Sequence, residues 1–147
     1  MDDALRRQVL ALLAHHRIMT VATNRPDGWP QATTVGYVNN GLTLYFLCSP
    51  ESQKAKNLAR DDRVSLTIDH DTTNPMAITG LSMAARAEPA TEAAEVAEVF
   101  GLLDKRYPEY AGFAIKPEEI RVYRVVPKVI SVLDYTKGFG HSELVVL

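Results

Sequence analysis

The chain has 147 residues, 46% apolar and 23% charged, with 16 basic and 18 acidic side chains and a net charge of −2. This suits a single domain, 1–147, with a real core, and excludes a disordered chain. The acidic balance argues against nucleic acid as a partner, and the one cysteine, Cys48, excludes a disulfide framework and a multi-cysteine zinc site, so a reducing, cytoplasmic setting is expected.

The N-terminus, MDDALRRQVLALLAHHR, opens on acids and lacks a long apolar run, so neither a signal peptide nor a membrane span is expected. Leu5, Val9, Leu12, Leu13 and His16 share one helical face, which predicts an amphipathic helix over 2–16. Ile18 to Thr23 reads as a strand, Arg25-Pro26-Asp27-Gly28 as a turn with Trp29 capping the barrel end, and Gln31 to Val38 as the next strand. Asn39-Asn40-Gly41 supports a hairpin turn into an apolar, central strand ending at Cys48.

Ser49 is a good N-cap and Pro50 suits a first helical position, so a helix over 50–60 is expected. Val64, Leu66 and Ile68 alternate with Ser65 and Thr67 as a strand. Asp69 to Pro75 is a polar loop, and Met76 to Ala87 a strand with Gly80 as a candidate bulge. Thr91 is the expected cap of a helix whose face carries Val96, Phe100, Leu103 and Tyr107. Arg106 to Phe113 is an aromatic loop packing that helix onto the barrel. Glu119 to Val126 and Lys128 to Asp134 read as two strands broken at Pro127; the tail from Tyr135 lacks a period. About seven strands joined by short connections favour antiparallel pairing in a closed or nearly closed barrel with helices outside.

The run MTVATNRPDGWPQATTVGYVNNGLTLYFLCSPESQKAKNLARDDRVSLTI resembles the pyridoxamine 5′-phosphate oxidase-like, FMN-binding split-barrel family over roughly residues 15–90. Its most specific piece is a hydroxyl residue, Lys54-Ala55, Asn57-Leu58 and the Arg63-Val64 strand. The resemblance implies a mainly β fold with flanking helices, an antiparallel split β-barrel, forming a homodimer with two flavin sites at the subunit interface. It implies FMN as cofactor, its phosphate on Ser52, Gln53 and Lys54 at the helix start, with the Ser49 hydroxyl a further donor by its own chemistry, and its ring along Gln31, Thr33, Thr34, Val35, Leu47 and Cys48. The residues support the phosphate reading independently: unpaired N–H groups and the positive end of a helix dipole attract an anion, and Lys54 adds charge. A solvated face for Lys54, Lys56 and Arg60 is the plainer alternative, as β-propensity is for Thr33 and Thr34.

Two features depart from the family. The oxidases carry an arginine beside the phosphate lysine and another at the start of the second strand; these positions are Gln53 and Gln31. No arginine follows Arg124, where the oxidases have an arginine-rich tail that grips the substrate phosphate. Pyridoxal phosphate formation is therefore not expected. The implied function is an FMN-dependent oxidoreductase acting on a small organic substrate or electron donor, with no catalytic acid or base and no metal assigned. The alternatives are a flavin carrier or sensor without turnover, and a haem or deazaflavin protein on the same fold. Cys48 reads as a small buried residue, and His15 and His16 as helix-end residues favoured by the dipole. His141, in the adaptable KGFGH tail, and His16 keep the haem alternative open.

Overall fold

The computed structural model describes residues 1–110 and 116–147. Helix α1 spans Asp3–His15, with the Asp2 carboxylate accepting the Leu5 N–H at 2.7 Å. Its apolar face buries Val9 and Leu13 completely. Strands β1 (Ile18–Asn24) and β2 (Pro30–Gly36) form a hairpin through the Arg25–Gly28 turn, where Gly28 takes the left-handed φ of 84° that the turn requires. Trp29 does not cap the barrel: at the hairpin tip its ring is 75% exposed.

The expected strand 31–38 divides at Tyr37, giving a separate β3 (Val38–Asn40) that pairs with β4 (Thr43–Cys48). The buried Tyr37 causes the break. Its hydroxyl turns inward and donates to the carbonyls of Leu13 (2.7 Å) and His16 (3.1 Å), satisfying the end of α1. Burial pushes this phenol up to about 12.

Helix α2 spans Gln53–Arg60, and β5 (Arg63–Asp69) and β6 (Thr79–Pro89) follow, with a 3-10 turn at Pro75–Ala77 where the β6 strand was expected to begin. Gly80 is not a bulge. It pairs in register with Asp69, and a Cβ there would lie 2.4 Å from the Ile68 carbonyl oxygen, so glycine allows the two backbones to approach. Gly80→Ala should cost about 1–3 kcal/mol, read as a lower urea midpoint; an unchanged midpoint would contradict this close approach.

Helix α3 (Ala93–Arg106) has Glu92 rather than Thr91 as its N-cap, with no side-chain cap hydrogen bond among the described residues. The predicted face, Val96, Phe100, Leu103 and Tyr107, packs on Val38, Tyr45 and Val122. Phe113, at the end of the expected aromatic loop, lies outside the described residues.

Strand β7 (Arg121–Asp134) is continuous through Pro127. The register against β6 shifts between Ala84 and Ala85, leaving Lys128 as the extra residue of a bulge. On its other edge β7 pairs first with β4, through Arg121–Val125, and then with β8 (Ser142–Val146), through Val129–Leu133. Proline, lacking an N–H, sits where the partner strand changes. The tail without a period therefore supplies an eighth strand.

All pairings are antiparallel, in the order β2-β1-β5-β6-β7-β4-β3 with β8 beside β7. The sheet curls into a half-barrel around Met19, Val21, Leu44, Phe46, Leu66, Ile68, Leu81 and Ile130. The end strand β2 approaches β4, next to the other end, without pairing with it, and this split remains on one side. Among the described residues no helix is long and apolar enough to cross a membrane.

Candidate functional site

The segment between β4 and α2 begins with a turn, not with helix. Ser49 Oγ accepts the Glu51 N–H at 3.1 Å, and the Ser52 hydroxyl donates to the Ser49 carbonyl at 2.7 Å. Ser52, not Ser49, is the N-cap, its Oγ accepting the Ala55 N–H at 3.1 Å. The expected cap is thus displaced by three residues, because the turn consumes Ser49 and Pro50. Both serine hydroxyls serve this local architecture.

Helix α2 spans the split. On one side, Lys54 Nζ stands 5.8 Å from the centre of the Phe46 ring of β4. Phe46 is buried and stacks on Tyr123 at 5.2 Å. Lys54 is half-buried, and burial lowers its pKa; the neighbouring Cys48 acts in the opposite direction. On the other side, the fully buried Asn57 ties α2 to the hairpin. Its Nδ2 donates to Thr23 Oγ1 of β1 at 2.9 Å and to Gln31 Oε1 of β2 at 3.3 Å. Its Oδ1 accepts from Gln53 Nε2 at 2.8 Å.

Strand periodicity divides the other expected residues between two faces. Gln31, Thr33 and Val35 lie half-buried on the inner face of β2, and Thr34 is exposed on the outer. Thr33 Oγ1 is buried without a hydrogen-bond partner among the described residues. Val35 and Cys48 pack on the main core. Leu47 faces α3 instead, lining an apolar cleft of about 230 Å³ with Gly36, Tyr45, Val99, Leu103 and Tyr107. The inner face therefore gathers a half-buried cation, an unpartnered hydroxyl and a chain of three amides around α2, a donor set suited to an anion or a polar ring edge. Among the described residues no group of three or more histidine, cysteine or carboxylate side chains is placed to hold a metal.

Sequence reasoning quoted Asn57 but gave it no role, and missed Thr23 and Phe46. An amide four residues after Gln53 on a short helix was the available signal.

A profile of the pyridoxamine 5′-phosphate oxidase family matches residues 5–133. The chain belongs to this family. General stress protein 26 of Bacillus subtilis (strain 168) is 28% identical over 67 residues, 46% of this chain and 47% of that protein, so the match spans about half the length of the curated relative. A crystal structure from Listeria innocua, described as a candidate pyridoxamine 5′-phosphate oxidase, superposes with a TM-score of 0.74 at 21% identity, covering 88% of this chain and 98% of that one. The haem storage protein HutZ of Vibrio cholerae superposes with a TM-score of 0.72 at 18% identity, covering 95% and 92%. At these identities the structural likenesses establish the split-barrel fold alone.

Proposed function

We propose that the protein is an FMN-binding flavoprotein, an oxidoreductase acting on a small organic substrate. The observation that carries this reading is the placement of Lys54. A solvated lysine would extend into water, whereas this one lies half-buried over the Phe46 ring at the start of α2, where a cation suits a bound anion. Lys54 and the first-turn N–H groups would hold the phosphate, and Thr33 and Gln31 would offer polar contacts to the remainder of the cofactor. Bound flavin supplies the electron transfer, and the chain supplies position and electrostatics.

The same reading includes a homodimer with flavin between the subunits. Two rows crossing six strands of the outer sheet face, Thr34-Thr20-Thr67-Ser82-Ser131-Leu144 and Ala32-Ala22-Ser65-Ala84-Val129-Val146, contain no charged side chain. Depletion of charge suits the centre of a protein interface.

The test is an absorption spectrum of freshly purified protein, with mass spectrometry of any group released on denaturation. A flavin spectrum with the mass of FMN is expected, and light scattering should return twice the 16.3 kDa chain mass. Protein that carries no flavin and binds none at micromolar FMN overturns the reading, and a deazaflavin mass redirects it. Reduction by NAD(P)H followed by reoxidation with an acceptor separates an enzyme from a carrier.

A second reading, haem, is favoured by one observation. His141 Nε2 is buried without a hydrogen-bond partner among the described residues, with Glu143 Oε1 at 3.7 Å. A Soret band lost in His141→Ala would support haem against flavin.

A further inference from the structure

We propose that Asn57 is a positioning residue that couples the two glutamines of the cofactor site and turns the Gln31 NH₂ group toward the ligand. The proposal rests on the FMN reading.

A primary amide donates on one side and accepts on the other, so amides bonded in series share one direction. Here Gln53 Nε2 donates to Asn57 Oδ1, and Asn57 Nδ2 donates to Gln31 Oε1. Because Gln31 meets Asn57 through its carbonyl, its own NH₂ points elsewhere. Gln31 shares the inner face of β2 with Thr33, whose Oγ1 is buried and unpartnered among the described residues. Two uncharged donors thus stand side by side where the oxidases place an arginine. Asn57 is 0% exposed, and its second amide proton is held by Thr23, itself 2% exposed. It cannot turn over without reversing both glutamines.

Asn57→Asp tests this with little change of shape. A carboxylate only accepts, so it draws the NH₂ groups of both glutamines and the Thr23 hydroxyl toward itself. Three donors satisfy the buried charge, and Gln31 is left presenting its carbonyl to the ligand. FMN dissociation constants, from quenching of flavin fluorescence, are measured for wild type, Asn57→Asp, Gln31→Leu and the double variant. The expected result is weakening of about tenfold by Asn57→Asp in the wild-type background, and of less than about twofold when Gln31 is leucine. Equal weakening in both backgrounds makes Asn57 merely structural and overturns the proposal. A ligand-free readout separates this failure from failure of the FMN reading. The side-chain amide NMR signals of Gln31 should shift in Asn57→Asp, and unchanged signals overturn the positioning claim whether or not FMN binds.

Discussion

Lys54→Ala is expected to weaken FMN binding by about tenfold to a hundredfold, the worth of one charge-assisted hydrogen bond of ~1.5–3 kcal/mol. The effect should be this large because Lys54 is the half-buried cation of the helix start. Gln31 and Gln53 replace the arginines of the oxidases, and the serine hydroxyls are engaged in the turn and cap. Riboflavin, lacking the phosphate, should bind wild type and variant about equally in the same titration. Equal loss for both ligands would place Lys54 against the ring or make its role structural, and no loss for either would remove it from the site. The pH dependence has a definite sign. Burial lowers the Lys54 pKa, so the amine loses its proton at a lower pH than an exposed lysine. FMN affinity should fall as pH rises through that pKa, and Lys54→Ala should abolish this fall.

Phe46→Ala should cost about 3–5 kcal/mol of folding stability, the range for removing a large buried aromatic ring. Phe46 is 1% exposed, stacks on Tyr123 and carries the Lys54 ammonium on its outer side. One side chain thus joins the barrel core to the cation of the site. Phe46→Leu separates the two roles. It restores most of the apolar volume and should recover much of the stability, but it removes the ring that attracts the ammonium, an interaction worth about 0.5–2 kcal/mol. Chemical denaturation and FMN titration of both variants provide the check. Phe46→Leu that binds FMN with wild-type affinity would show that the ring does not orient Lys54.

Residues with strong local patterns were legible in the sequence. The alternation in β5, the apolar stripe of α1 and the Arg25–Gly28 turn each follow from short-range sterics and periodic burial. The errors lie where a distant contact overrode a local preference. Ser49 is as good a cap as Ser52, and the choice depended on a turn that closes on Ser49. Pro127 reads as a strand breaker, yet a bulge opposite Ala84 and Ala85 accommodates it. The tail strand β8 exists because β7 has a free edge beyond Pro127. Trp29 belongs to a turn that the sequence located, but only the structure shows its ring exposed.

The candidate site divides in the same way. The order and spacing of residues from Met19 to Ile68, above all Lys54-Ala55, Asn57-Leu58 and Arg63-Val64, pointed to the family and to α2, whereas a capped helix start with a lysine was by its local chemistry equally a solvated face. Which of those residues act together was decided by tertiary structure. Adjacent strand residues point to opposite faces, so Thr33 and Thr34, and likewise Leu47 and Cys48, cannot serve one surface equally. The union of Gln31, Thr23 and Gln53 through Asn57 spans 34 residues of chain between Thr23 and Asn57. No local pattern encodes it, since it exists only where curling of the sheet brings α2 over the split.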